Sequence, residues 1–357
     1  MTEVVLCCGQ GGVGKTTLSA AYAAGRALRG ERVAVITIDP AKRLADALGL
    51  TALPNHPTTI QRFESGGTLD AMMLDCQATW DELIRRYAHD EAFATQMIDN
   101  RYYQAVSTRL PGSHEYMAIE KLYELTETGR WDVVVVDTPP ARHLDALLTA
   151  PARIGNLFEG RVMRAWTRPS SGWLQATTQR AFKLLERLAG QQVIGEVREF
   201  LTLLNELGEG FRQRSAAVMQ LLNSSQCAVY LVTSPDRVNA ESVERARQAL
   251  EARGLRVAGA WMNRIEPDPK VTAPLPSSSP SEASCPDGDW GVWRQALHEH
   301  QKTLQSRHER QQATLEATMR DYELPWWTIP RAVEAPDALP ALLELATWLP
   351  PDRPSHM

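Results

Sequence analysis

The chain has 357 residues, enough for two domains or for one large α/β unit with insertions. With 43% hydrophobic and 23% charged residues it reads as an ordinary globular protein, and a net charge of -5 leaves no footprint for nonspecific nucleic-acid binding. It has no run of about 18 uncharged apolar residues, the apolar stretch 4–8 is too short for a signal-peptide core, and the 5 cysteines form no CxxC. The expectation is a cytoplasmic protein with no stable membrane insertion, no disulfide framework and no zinc site.

The first β-branched run, EVVLCC, leads into Gly9-Gln10-Gly11-Gly12-Val13-Gly14-Lys15-Thr16, and a helical stretch, TTLSAAYAAGRAL, follows. This satisfies G-x-x-x-x-G-K-[ST] in a strand-to-helix setting, and the chemistry explains each position. Glycines let the backbone N–H groups of Gly11, Gly12, Val13 and Gly14 turn inward around phosphate oxygens, and the helix N-terminus adds its positive end. Lys15 brings a mobile charge to the β- and γ-phosphates, the Thr16 hydroxyl can ligate Mg²⁺, and Thr17 completes the phosphate-side segment.

The next run, RVAVITID, ends in Asp39, placed to orient or deprotonate an attacking water; as a plain alternative, Asp39 caps the helix AKRLADAL. After the run LDAMMLD, residues 76–130 read as several helices, a helical insertion. WDVVVVD then ends in Asp137, before Thr138-Pro139-Pro140. An apolar run closed by a carboxylate suits a Mg²⁺ ligand, direct or through water, although a strand-end Asp can also cap the next helix. Such two-sided apolar runs suit a mainly parallel sheet with crossover helices, whose ligands sit at the carboxyl ends of the strands.

Residues 151–222 again read as helices, a candidate client or partner subdomain. Val193, Val197, Phe200, Leu204, Leu207 and Phe211 follow a 4, 3, 4, 3, 4 spacing along one helical seam, which serves either packing within the domain or a groove for an apolar client. Arg161, Arg164 and Arg168 lie near Trp166 and Trp173; an ordinary helix face and turn is preferred there to a nucleic-acid or lipid surface. The runs CAVYLVT and LRVAGAWMN follow. Residues 266–289, dense in Pro and Ser, are expected as a mobile loop. Residues 290–321 are expected as a largely exposed helix with His298, His300 and His308 facing solvent, and LPWWTIP reads as a last strand. The fold expected is therefore an α/β P-loop NTPase core from residues 1–75, 131–150, 223–265 and 322–349, interrupted by helical segments.

The set GGVGKTT, DPAKRLADALG, DTPPARHLDAL and MNR resembles the ATPases grouped around the arsenite-pump subunit ArsA and the eukaryotic tail-anchored-protein targeting ATPase, within the wider class that includes MinD and ParA. The resemblance covers about residues 1–265 and, more weakly, 322–349. It implies an ATP- and Mg²⁺-dependent nucleotide-sandwich dimer, either a homodimer or a heterodimer with a related ATPase, that closes on ATP and opens after hydrolysis. By the same resemblance the segments beginning at Asp39 and Asp137 are the two switches, Asn263 reads adenine, Pro330 lies near the adenine-covering loop, and a protein client is implied.

One position departs from the pattern. The family carries a lysine where this chain has Gln10, and that lysine reaches across the dimer to the partner's phosphates. Glutamine is neutral and cannot offset developing charge. Three explanations stand: a lysine-bearing relative as partner, substitution by a nearby Lys42, Arg43 or Arg142, or slow hydrolysis in a nucleotide-dependent clamp. A catalytically weak partner subunit is the rival reading. Arsenite transport is disfavoured, because As(III) needs converging thiolates and Cys7 and Cys8 should face opposite sides of a sheet. A positioning ATPase on DNA or membrane is disfavoured by the acidic balance and the Pro-broken C-terminal segment.

Overall fold

The computed structural model describes residues 1–39, 41–109, 113–138, 149, 196, 200, 202, 210, 213–235, 240–268, 290–321, 324–332 and 338–351. Among them the strands are β1 (Glu3–Gly9), β2 (Arg32–Thr37), β3 (Thr58–Arg62), β4 (Thr68–Met73), β5 (Val133–Asp137), β6 (Cys227–Thr233), β7 (Val257–Ile265) and β8 (Trp326–Pro330). They form one 8-stranded sheet in the order β3-β4-β2-β5-β1-β6-β7-β8. β3 pairs antiparallel with β4, and every other pairing is parallel. This is the α/β architecture expected.

The helices are α1 (Lys15–Leu28), α2 (Arg43–Ala47), α3 (Cys76–Tyr87), α4 (Glu91–Ile98), α5 (Arg101–Arg109), α6 (Ser113–Glu127), α7 (Ala240–Glu251), α8 (Trp290–Asp321) and α9 (Leu339–Ala346). The central strands are apolar over most of their length because they are covered on both faces. Alternation sends Val5, Cys7, Val33, Val35 and Val135 to a core shared with α1, α2 and α9. Val4, Leu6, Cys8, Ile36 and Val134 go to the other core, with α6, α7 and the helical residues 213–222. Cys7 and Cys8 thus lie on opposite faces, where burial pushes both thiols up, Cys8 to about 12. Gly25 lets α9 approach α1 closely: a Cβ there would sit 2.7 Å from Ala346 Cβ.

Helices α3 to α6 build a third core from Trp80, Ile84, Phe93, Met97, Tyr116 and Met117. Asp75 caps α3 by accepting from Ala78 N at 3.0 Å, and Asp90 caps α4 by accepting from Phe93 N at 2.7 Å. Phe200 packs into this core; the other five residues of the 193–211 seam, the Arg/Trp stretch 161–173 and Arg142 lie outside the described residues.

Three expectations need correction. Strand β3 was not foreseen: it is a short polar edge, TTIQR, largely open to solvent, and so lacks an apolar run. Helix α8 is largely exposed along its described length, with Gln311, Leu315 and Thr318 buried in its second half. Where residues 266–289 were expected to begin a loop, Glu266 is buried instead. It receives Arg307 Nη1 at 3.0 Å and Arg331 Nε at 3.2 Å, and donates its N–H to Gln311 Oε1 at 2.8 Å. His308 does not simply face solvent, because its Nδ1 lies 2.8 Å from the Glu266 carbonyl oxygen. Residues 269–289 lie outside the described residues.

Candidate functional site

The carboxyl ends of the parallel strands converge on one edge. There β1 runs into the glycine loop, β2 ends just before Asp39, β5 ends in Asp137, and β7 and β8 end around Asn263 and Pro330. The chain passes from β1 to the β2 side of the sheet and later from β5 to the β6 side, so the edge beside β1 is where successive connections part and leave a crevice.

Within the loop Gly12 and Gly14 have φ of 79° and 93°, the left-handed region that side chains avoid. At Gly14 a Cβ would also lie 2.2 Å from Asn263 Nδ2. Val13 is fully buried and anchors the loop from beneath, whereas Gln10, Gly11 and Gly12 are exposed. A Cβ on Gly11 or Gly12 would meet nothing within 4 Å, so the tip faces open space. Helix α1 starts at Lys15 with no side-chain cap bond, the state of a helix N-terminus that can receive an anion. Thr17 follows, half-buried in the first turn.

Lys15 is buried, and its Nζ donates to the Gln10 carbonyl oxygen at 3.0 Å. Burial lowers its pKa while Asp137 pulls the other way. Asp137, 1% exposed, receives Thr16 Oγ1 at 2.8 Å and Thr37 Oγ1 at 3.0 Å on the same oxygen, Oδ2. Its second oxygen, Oδ1, is buried and has no hydrogen-bond partner among the described residues. Desolvation pushes this carboxyl up to about 6, against the two hydroxyl bonds and the Lys15 charge. An orphaned carboxylate oxygen beside a threonine hydroxyl is a hard-oxygen donor set that fits Mg²⁺.

Asp39 is engaged differently. Its Oδ1 accepts from Ala41 N at 3.0 Å, and its Oδ2 lies 3.2 Å from Arg43 Nη1. In this structure its Oδ1 thus closes a turn onto Ala41 and its Oδ2 pairs with Arg43; it does not cap α2, whose N-cap position is Lys42 and carries no side-chain cap bond. Asn263 donates through Nδ2 to the Val13 carbonyl oxygen at 2.9 Å and accepts the Arg264 N–H at 2.9 Å, so it clamps the underside of the loop. That arrangement bends the strand: Arg264 takes φ 63°, and the β7–β8 register shifts between Met262 and Ile265. Pro330 is half-buried and pairs with Ile265, on the strand beyond the one that carries Asn263.

Two site residues were not evident from sequence. Thr37 Oγ1 donates to Asp137 and accepts from Asp39 N at 3.3 Å, so one buried hydroxyl links both acidic segments. Parallel pairing makes Thr37 the register partner of Asp137, a relation with no local sequence signal. His114, at the start of α6, lies with Nε2 3.2 Å from the Ile38 carbonyl oxygen and joins the inserted helices to the segment before Asp39.

A sequence profile described as Anion-transporting ATPase matches residues 2–275. Protein Rv2184c of Mycobacterium tuberculosis is 29% identical over 277 residues, 74% of this chain and 59% of that protein. ATPase asna-1 of Caenorhabditis elegans is 31% identical over 159 residues, 42% of this chain and 45% of that one. ATPase GET3A of Arabidopsis thaliana is 26% identical over 204 residues, 57% and 53% respectively. The chain spans less than two thirds of the length of each of these relatives. Among the described residues no helix is long and apolar enough to cross a membrane.

Proposed function

The chain belongs to the ArsA-type anion-transporting ATPase family, whose members are nucleotide-binding ATPases, and from that premise we propose that it hydrolyses Mg·ATP in the crevice beside β1. The observation that carries this reading is the Asp137 carboxylate, buried against the Thr16 and Thr37 hydroxyls with Oδ1 unpartnered, at the foot of the Lys15 loop.

In this reading the amides of Gly11, Gly12, Val13 and Gly14, with the start of α1, bind the phosphates. Lys15 gives up the Gln10 carbonyl for a phosphate oxygen, an exchange that restores charge pairing to an ammonium that burial had destabilised. Thr16 and Asp137 hold Mg²⁺, Asp137 directly or through water; when bound, the ion neutralises charge on the β- and γ-phosphates. Asp39 orients the attacking water after leaving its contacts with Ala41 N and Arg43. Asn263 meets the adenine edge with the hydrogen-bonding capacity left beside Val13 and Arg264, and Pro330 flanks the base. Thr37 keeps the two acidic segments in register.

Loss of the terminal phosphate removes contacts that hold the segments after Asp39 and Asp137, and the attached helices reorient. The resemblance supplies the rest: a closing dimer, with itself or with a related ATPase, in the cytoplasm, acting on a protein client. The catalytically weak partner subunit remains the second reading, favoured by the neutral Gln10 at the open loop tip. Single-turnover hydrolysis of Mg·ATP by the purified chain, with Lys15→Ala as control, separates the two. Phosphate release that Lys15 is required for supports the ATPase, binding without release supports the partner subunit, and no Mg·ATP binding, alone or with a related subunit, removes both.

A further inference from the structure

A second cation pairs with the first acidic segment of the site. Arg43 opens α2, and its guanidinium sits 3.2 Å from Asp39 Oδ2 with 65% of the side chain exposed. Asp39 is joined through its N–H to Thr37, and Thr37 and Thr16 share one oxygen of Asp137, so Arg43 stands at the end of the polar chain that borders the loop. The contact that holds Arg43 is weak: exposed ion pairs contribute on the order of 0–1 kcal/mol, so a multiply charged phosphate group readily displaces it. Meanwhile Asp39 stays in place through its own backbone, since its N–H is held by Thr37 and Thr37 by Asp137.

We propose that Arg43 is a catalytic residue: its guanidinium trades Asp39 for the terminal phosphate of bound ATP, which supplies positive charge from within the chain beside the neutral Gln10 and frees Asp39 Oδ2 for water. This rests on the reading that ATP occupies the crevice. One exchange then accomplishes two tasks, because the group that stabilises the transferred terminal phosphoryl is the one that had occupied the water-orienting carboxylate. Arg43 forms no bond in the reaction. The water oxygen bonds to the γ-phosphorus, the bond to the β-phosphate oxygen breaks with its electron pair going to ADP, and the water proton passes to Asp39 or to the product phosphate.

The test compares wild type, Arg43→Ala and Arg43→Lys for kcat under saturating Mg·ATP and for dissociation constants of AMP-PNP and ADP. Loss of an arginine that meets the terminal phosphate is expected to lower kcat about 100-fold or more. It should weaken AMP-PNP about tenfold while leaving ADP unchanged, and lysine should recover about tenfold in kcat. Wild-type kcat in Arg43→Ala overturns the proposal, as does equal weakening of ADP and AMP-PNP or a lysine variant no better than alanine. Unchanged ADP binding also reports that the variant is folded. A wild type that hydrolyses ATP while Arg43→Ala matches it sinks Arg43 alone; a wild type that binds no Mg·ATP sinks the site reading itself.

Discussion

Helix α1 carries a buried cation at each end, and the fold treats them in opposite ways. Arg26, 4% exposed, bonds the Tyr22 hydroxyl at 2.7 Å, Glu3 Oε2 at 3.0 Å and both oxygens of Glu31. Burial acts against its charge, but the carboxylates prevail and its pKa rises. Lys15, 8% exposed, donates to a backbone carbonyl, and there burial prevails and the pKa falls. A buried cation closed off by carboxylates is architecture; one resting on a neutral carbonyl at an open loop gains most when an anion arrives. Asp137 repeats the second pattern with the opposite charge, held by two hydroxyls and raised by burial.

The sharpest way to break this contrast is to make the same substitution at both ends. Lys15→Met is expected to lower kcat about 1,000-fold or more with an unchanged or higher melting temperature, because a desolvated charge is exchanged for an apolar chain. Arg26→Met is expected to retain kcat and to lose about 3 kcal/mol of stability in chemical denaturation, since Glu3 and Glu31 lose their buried partner. A destabilised Lys15 variant with good activity would reverse the assignment.

Asp137→Asn tests the same idea from the acidic side. A carboxyl raised to about 6 in the fold contributes stability that is fully present below its unfolded value of 3.8 and is lost as pH rises through 6. At pH 7.5 without nucleotide or Mg²⁺ the ionised group costs up to roughly 3 kcal/mol. The Asn variant should therefore be the more stable protein at pH 7.5, the gap should close towards pH 4, and Mg²⁺-dependent hydrolysis should be lost. A gap that does not change with pH would mean that Asp137 does not titrate as its burial dictates. The smallest effect is expected at Thr37: Thr37→Val should lower kcat about tenfold by freeing both acidic segments, and Thr37→Ser should restore it. Equal loss in Val and Ser would assign Thr37 to packing alone.

Much of this molecule is legible from its residues. The strands covered on both faces appear as largely apolar runs because a polar group buried on either side of them needs a partner. The edge strand β3 does not, because solvent on its open side accepts the polar residues of TTIQR. Lys15 and Thr16 are legible because a phosphate loop is a local device, with every group it needs lying within a few residues of Gly9. Glu266 was hidden by its composition: it opens a stretch of Pro and Ser, yet Arg307, Gln311 and Arg331, distant in the chain, bury it. Arg43 was one of three candidate cations, and its placement beside Asp39 depends on how the turn into α2 folds.

The sequence by itself determined the phosphate loop, the parallel core and the acidic residues at its strand ends, since each depends on spacing or periodicity within a short window. Only the tertiary structure decided which groups share a hydrogen bond across the strands: Thr16 and Thr37 on one oxygen of Asp137, Asn263 on the Val13 carbonyl and Arg43 on Asp39. The physical reason is range. Periodicity says which face of a strand is buried, but the atom that meets a buried polar group depends on the register between strands and on the approach of loops from distant parts of the chain.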